Sequence, residues 1–217
     1  MTEDGLFLQQ LPKLHLKKIA EIRFSVSEPS KYDLSAIKKI IDIEMLPDSA
    51  VRAFANEDDI THSDIQAKII LIGKLLGYRT FTPDQSKVSR YGKLGDLCSE
   101  QKLPSEYIAE RLVAKVRNID VIWFDGEGFP INCFEVEHTT DITKGLLRLY
   151  QIRKLRIKMF IIAHDSSRLK FTAEVNKDPF YHVKHEYVFR TYSELNDFFE
   201  TVKKFALQKG SFLNEDR

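Results

Sequence analysis

The sequence predicts an α/β fold with a mixed central sheet that is flanked by helices on both faces. From Thr61 onward, helix-like and strand-like patterns alternate in the order α, β, α, β, β, α, β, α, β, α. The runs "IDVIWF" and "INCFEVEH" are joined by the turn "DGEGFP", which favours an antiparallel hairpin. The later run "IKMFIIAH" is almost continuously apolar, as in a strand that is covered on both faces.

Length and composition are those of a globular protein with one principal domain. The chain has 217 residues, of which 43% are hydrophobic and 30% charged. No apolar run is long enough to span a bilayer, and the N-terminus lacks the order of a secretory signal. Cys98 and Cys133 form no CxxC pair, so we expect reduced thiols. These features predict a cytoplasmic protein of a prokaryote with no membrane partner.

The N-terminal segment, residues 1–55, carries its own short elements. "EIRFSVS" has the alternation of a strand, and "DLSAIKKIIDIEML" has the spacing of a helix with Asp33 as its cap. No linker-like tract follows, so this segment is either a small attachment or the edge of the main fold. Residues 56–217 are expected to form the principal domain.

The first helix of the principal domain has clear signals at both ends. In "THSDIQAKIILIGKLLG", Thr61 and Asp64 fit a capping box, and Gly77 marks the C-terminal end. "YRTFTP" is interpreted as a short strand, and the stretch to Leu103 as a loop. "PSEYIAERLVAKVR" is the next predicted helix, capped by Ser105.

The elements after the hairpin alternate between helix and strand. "TTDITKGLLRLYQIRK" is a helix capped by Asp141 or Thr140, and "RLKFTAEVN" is a short helix between the strands "IKMFIIAH" and "EYVFRTY". The last helix opens with a capping box of Thr191 and Glu194. Its predicted inward stripe is Leu195, Phe198, Val202 and Phe205.

Three carboxylates lie on the two strands of the hairpin, where an ionised group is costly to bury. Side chains alternate between the faces of a strand, so Cys133, Glu135 and Glu137 share one face. Asp120 begins the neighbouring strand, about 4.8 Å away. We therefore expect the three acids to converge, and a divalent cation would relieve their mutual repulsion. "EVE" also occurs on exposed strands, where alternation alone explains it.

Basic residues are unevenly distributed along a chain whose formal net charge is only +1. The stretch from Ile142 to His164 contains six Lys or Arg residues and no acid until Asp165, and "SKVSRYGK" covers Ser86 to Lys93. We expect these runs to border the acids and to attract phosphate. Ordinary solvated helix faces remain the alternative interpretation.

Asp120, followed after fourteen residues by Glu135-Val136-Glu137, resembles the motif of the PD-(D/E)XK nuclease superfamily. The order of elements around the motif, from about Thr61 to Phe205, gives most of the support. "FEVEHTTDITKGLLRLYQI" is also similar to a group of bacterial proteins thought to be restriction-type nucleases. The resemblance implies a restriction-endonuclease-like fold. Glu137 stands where Lys is usual, as in the E-X-E variant of some restriction enzymes.

The resemblance also implies a set of site residues. Asp120, Glu135, Glu137 and the main-chain carbonyl of Val136 would bind Mg²⁺, for which Mn²⁺ can substitute. Lys144 and His138 are the candidates to replace the usual lysine, although strand alternation directs His138 away from the acids. A further contribution from the first helix would come from Asp64 or Gln66. The residues implied to contact nucleic acid are Lys87, Arg90, Lys93, Lys144 and Arg148.

The implied activity is metal-dependent hydrolysis of phosphodiester bonds in double-stranded DNA, in restriction or phage defence. The implied partners are a second copy of the chain and a methyltransferase that acts on the same DNA site. A non-catalytic nucleic-acid-binding subunit and a DNA-repair or junction nuclease are the alternatives.

Overall fold

The structure is a computed structural model that describes residues 61–138 and 142–213. The strand and helix predicted in residues 1–55, and the caps Thr140 and Asp141, lie outside this range. The described helices are α1 (His62–Leu75), α2 (Leu94–Leu97), α3 (Glu110–Val116), α4 (Ile142–Gln151), α5 (Arg168–Val175) and α6 (Tyr192–Leu213). The described strands are β1 (Arg79–Phe81), β2 (Val88–Ser89), β3 (Gly92–Lys93), β4 (Val121–Phe124), β5 (Pro130–Glu137), β6 (Lys158–Ala163) and β7 (Tyr187–Thr191).

The main sheet has five strands in the order β1-β4-β5-β6-β7 and is mixed. β1 pairs antiparallel with β4, and β4 pairs antiparallel with β5 across the predicted hairpin. β5, β6 and β7 run parallel, with α4 and α5 in the two crossover connections. From β4 onward the predicted order of elements is therefore confirmed.

Helices cover both faces of the sheet, as the sequence predicts. On one face, α1, α2 and α6 pack against Trp123, Phe134 and Val136. On the other face, α3, α4 and α5 pack against Cys133 and the neighbouring strands. Alternate residues of β5 enter the two cores, so the alternation expected for this strand is confirmed. Cys98 and Cys133 are buried free thiols in separate cores.

The first helix begins and ends where its sequence signals indicate. Thr61 is the N-cap of α1, and its side chain and that of Asp64 bond each other's backbone amides. The chain leaves the helix through Gly77, whose φ of +88° is readily adopted only by glycine. Within residues 61–138 and 142–213, no helix combines the length and the apolar character needed to cross a membrane.

Two predictions between β1 and β4 are wrong in detail. The stretch predicted as a loop contains the small hairpin of β2 and β3, followed by the single turn α2. The next helix begins at Glu110, after the N-cap Ala109, and Ser105 is not its cap. Ile108 is buried and closes a turn by donating its amide to the Ser105 carbonyl. Because of this turn, α3 begins at Glu110, later in the chain than predicted.

The inward stripe of α6 is also shifted by one residue at two positions. Leu195 and Val202 are buried as predicted, but the remaining buried positions are Phe199 and Ala206. Phe198 and Phe205 are 47% and 53% exposed. Adjacent phenylalanines allow either register, and the edge of Phe199 packs against the Tyr91 ring. The sequence pattern alone does not distinguish the two registers.

The shifted stripe predicts unequal effects of two neighbouring substitutions. Phe199→Ala removes a buried ring and should lower the free energy of unfolding by about 3 kcal/mol or more. The matched control Phe198→Ala removes a half-exposed ring and should cost less than about 1 kcal/mol. Urea unfolding of both variants measures the difference. Equal losses would show that the register of α6 has been wrongly assigned.

Candidate functional site

The three acids lie at one edge of the main sheet, where β4 begins and β5 ends. Val121 pairs with Phe134, and the continued antiparallel register places Asp120 opposite Glu135. Oδ2 of Asp120 accepts a hydrogen bond of 2.8 Å from the Val136 amide. The hairpin therefore fixes the Asp120 carboxylate against the backbone next to Glu135.

All three carboxylates are buried, and the environment of Glu135 and Glu137 opposes their ionisation. Glu135 is fully buried, and Asp120 and Glu137 are 6% and 8% exposed. Burial raises the pKa of Glu135 well above its usual range, and the charge of Asp120 raises it further. Burial likewise raises the pKa of Glu137, against the lowering effect of Arg148. The site therefore favours a cation.

Arg148 of α4 supplies the nearest positive charge. Its Nη2 lies 2.6 Å from Oε2 of Glu135 and 3.3 Å from Oε1 of Glu137. Gly145 allows this approach of α4, because a Cβ there would lie 2.6 Å from Oε1 of Glu137 and 3.1 Å from Cδ1 of Ile161. Since Arg148 follows Gly145 by three residues, both lie on the face of α4 that approaches the acids.

His62 of α1 contacts the other side of the site. Its Nε2 lies 3.0 Å from the Val136 carbonyl oxygen and 3.3 Å from Oδ2 of Asp120. Both partners accept hydrogen bonds, so Nε2 carries the proton. Burial lowers the pKa of His62, but the hydrogen bond and the charge of Asp120 raise it above its ordinary value. His62 thus connects α1 to both strands of the hairpin.

The backbone after Val136 is held by the start of α6. The Tyr192 hydroxyl donates to the Glu137 carbonyl over 2.9 Å. The His138 ring lies between those of Tyr192 and His62, at centroid distances of 5.3 and 5.7 Å. This position agrees with the expected direction of His138, away from the acids.

The two candidates on the first helix have different surroundings. Asp64 is buried and accepts hydrogen bonds from Thr61, the Arg90 amide and the Arg90 guanidinium. Its capping role accounts for its position. Gln66 is fully buried and donates to Asp84, while its Oε1 has no hydrogen-bond partner among the described residues. Of the two, Gln66 has the unsatisfied polar atom.

The basic residues predicted to border the acids occupy several places. Lys87 forms an ion pair of 2.7 Å with Asp84. Its positive charge partly offsets the rise in the pKa of nearby His62. Arg90 binds Asp64, Lys93 lies on β3, and the Lys144 side chain is exposed. For Lys158 the prediction is wrong. It pairs with Asn132 at the opposite end of β5 and forms an ion pair with Glu186.

The donor atoms at this edge are those that Mg²⁺ prefers, namely carboxylate and carbonyl oxygens. Oε1 of Glu135 is buried without a hydrogen-bond partner in the described part of the chain, and the short contact of Oε2 with Nη2 of Arg148 lacks hydrogen-bond geometry. However, no group of three or more His, Cys, Asp or Glu in that part has the arrangement of a metal site. Arg148 and His62 contact the oxygens that a metal would use. The residue types fit a metal, but binding requires these contacts to change.

Fold and site together define an α/β protein with a buried acidic cluster at the edge of a mixed sheet. Residues 45–215 match the family described as the type II restriction enzyme NmeDI C-terminal domain, and the chain belongs to this family. The type II restriction enzyme NmeDI of Neisseria meningitidis serogroup C is 32% identical over 137 residues, which cover 58% of this chain. The match covers 39% of that protein, so the chain spans about two fifths of its length. No solved structure matches the chain.

His62 is not among the predicted site residues, and Arg148 is predicted only to contact nucleic acid. The available signal for His62 is its place directly after the N-cap Thr61, which makes it the first residue of α1. For Arg148 the signal is its spacing of three from Gly145 on a helix that follows the acidic strand. Neither signal shows which strand residues His62 and Arg148 contact.

The buried acids predict an unusual dependence of stability on pH. The folded state holds the proton of Glu135 more tightly than the unfolded state, whose pKa is near the ordinary 4.5. Stability should therefore fall as pH rises above about 4.5. Glu135→Gln removes this loss while Glu137 still contacts Arg148. In EDTA at pH 8, the variant should melt about 3 °C or more above the wild type.

The difference in Tm should shrink as pH is lowered toward 5, where the wild-type carboxyl holds its proton. Differential scanning calorimetry at several pH values measures it. The control Glu200→Gln changes an exposed acid of α6 and should melt like the wild type at each pH. A Glu135→Gln variant that is less stable at pH 8 would contradict the prediction.

Proposed function

We propose that the chain is a metal-dependent endonuclease that hydrolyses phosphodiester bonds of double-stranded DNA, as a type II restriction enzyme. The observation that carries the proposal is the set of buried acids, with Asp120 opposite Glu135 and Glu137 two residues further along β5. Membership of a family described by a type II restriction enzyme supports it. The fold is accordingly proposed to be restriction-endonuclease-like, with an E-X-E motif.

Asp120, Glu135, Glu137 and the Val136 carbonyl would hold Mg²⁺, for which Mn²⁺ can substitute. A metal bound there would polarise the scissile phosphate and lower the pKa of a bound water. The hairpin and the Tyr192 hydroxyl fix the strand ends that carry these groups. Glu137 is then placed to accept a proton or a hydrogen bond from the attacking water.

The remaining polar residues would bind and orient DNA. Lys87, Arg90, Lys93 and Lys144 are proposed to contact phosphates, and Gln66 to complete the site from α1. Cleavage of both strands would be performed by a homodimer with two-fold symmetry. The enzyme is proposed to work in the cytoplasm of a bacterium. A methyltransferase that acts on the same DNA sequence would protect the DNA of that cell from cleavage. Residues 56–217 would form the nuclease domain.

A non-catalytic DNA-binding subunit is the second candidate. The contacts of Arg148 and His62 with the acids favour it, because they partly offset the acidic charge without a metal. A repair or junction nuclease would use the same chemistry as a restriction enzyme and differs only in the DNA that it selects.

Incubation of the purified protein with supercoiled plasmid, phage DNA and RNA tests these candidates. We expect discrete DNA fragments with Mg²⁺ or Mn²⁺, and none with EDTA. DNA binding without cleavage in either metal would support the non-catalytic subunit. Preference for branched over linear duplexes would support the junction nuclease.

Glu137→Gln should lower the single-turnover cleavage rate by at least about 10²-fold, because it removes a positioned charge at the reacting water. DNA binding in a gel-shift assay should persist, since a negative charge near phosphate is removed. Glu200→Gln is the matched control and should cleave like the wild type. Near wild-type cleavage by Glu137→Gln would transfer the role to another residue, with Lys144 the first candidate.

Phosphate contacts should make DNA affinity fall steeply with salt, because bound cationic side chains release counterions. Lys87→Gln should reduce the slope of log Kd against log salt by about 1. Lys158→Gln, at the opposite end of the sheet, is the control and should leave the slope unchanged. Fluorescence anisotropy between low and moderate salt measures both. Equal slopes for both variants would remove Lys87 from the interface.

A further inference from the structure

Arg148 combines a buried contact with access to solvent. Its guanidinium bridges Glu135, which is fully buried, and Glu137, which is nearly so. Its own side chain is 38% exposed. Arg148 therefore extends from the protein surface to the buried acids.

The contact between Arg148 and the acids is incomplete as a structural ion pair. A stable buried pair requires good geometry and hydrogen bonds to the remaining polar atoms. Here Nη2 makes both acidic contacts, and its contact with Oε2 of Glu135 is short but lacks hydrogen-bond geometry. Nε of Arg148 and Oε1 of Glu135 are buried without a hydrogen-bond partner in the described part of the chain. A pair arranged for stability alone would use the two-pronged geometry of guanidinium and carboxylate. The observed arrangement leaves bonding capacity on both sides.

The charges around Arg148 favour keeping a cation at this place. Nη2 of Arg148 contacts both Glu135 and Glu137, and the Asp120 carboxylate is held against the backbone next to Glu135. Three acids thus face one arginine, with His62 on the far side of Asp120. A divalent cation bound by Glu135 and Glu137 would compete with the Arg148 guanidinium for the same oxygens.

We propose that Arg148 is a catalytic residue that leaves Glu135 and Glu137 when divalent metal binds and moves onto the scissile phosphate. This inference rests on the proposed nuclease function. Arg148 supplies from α4 the positive charge that position 137 lacks, since a glutamate stands there. In the metal-free protein the same side chain offsets the charge of the acids.

The chemistry of guanidinium limits this role to electrostatics. Arginine has no acceptor and keeps its proton, so Arg148 neither activates the water nor forms a bond. Its planar fork binds two phosphate oxygens at once and stabilises the charge that develops on them. During hydrolysis the water oxygen bonds to phosphorus, the P–O bond to the leaving oxygen breaks, and Arg148 remains protonated throughout.

The first test measures metal binding without DNA. Arg148→Met keeps the length of the side chain but removes its charge. If Arg148 competes with metal, Mn²⁺ should bind this variant at least about tenfold more tightly than the wild type, as measured by titration calorimetry. Arg153→Met is the control for general charge, because Arg153 lies on the Tyr150 ring beyond the end of α4. Unchanged or weaker Mn²⁺ binding by folded Arg148→Met would overturn the proposal.

The second test measures cleavage by Arg148→Lys, which keeps the charge and therefore the fold. A lysine offsets the acids but cannot bind phosphate with two parallel bonds. At saturating Mg²⁺, single-turnover kcat should fall at least about tenfold while KM for DNA stays within twofold. A purely structural arginine would be replaced by lysine without loss. Wild-type kcat in Arg148→Lys would therefore overturn the catalytic role.

The two tests separate this proposal from the proposed function. If the wild type cleaves no DNA, the nuclease function and the catalytic role of Arg148 both fail, while tighter Mn²⁺ binding by Arg148→Met would still establish the competition. If the wild type cleaves DNA and both Arg148 variants cleave it as fast as the wild type, only the catalytic role of Arg148 fails. If Arg148→Met does not fold, the kcat of Arg148→Lys decides the catalytic role.

Discussion

The burial of the Glu135 carboxyl group is the constraint on which the arrangement around it depends. An unpaired carboxylate at a fully buried position would be strongly destabilising. Its neighbour across the hairpin is another acid, so β4 and β5 cannot provide the compensation. A cation must come from a different element, and α4 provides it through Arg148. The absence of a side chain at Gly145 is what allows the helix to lie close enough.

Three separate helices converge on the end of β5. α1 contributes His62 to the Val136 carbonyl, α6 contributes Tyr192 to the Glu137 carbonyl, and α4 contributes Arg148. The backbone at this edge is thus held by side chains beyond the sheet as well as by strand pairing. Such over-determination keeps acids at a position that is unfavourable for stability, as is common where a site serves a function.

Local signals allow the order of elements to be predicted, because helix caps and strand alternation depend on near neighbours. The Thr61 capping box and the two faces of β5 are examples that the structure confirms. Tertiary packing decides the features that were missed. The choice of Phe199 over Phe198 depends on Tyr91, more than a hundred positions earlier. The partners of Arg148 depend on how α4 crosses the sheet, which sequence spacing does not specify.

Glu137 adds a third acid to the site, so the charge that balances the acids must come from outside β5. A lysine at this position would place a positive charge beside Asp120 and Glu135 from the same strand. A glutamate makes the strand more acidic, so the positive charge must enter from the side. Arg148 does so from a helix, on a long side chain that is partly exposed. A charge carried in this way can change partners, whereas a lysine on the strand would be fixed by the sheet. Glu135, Glu137 and the arginine of α4 are therefore best understood as one unit.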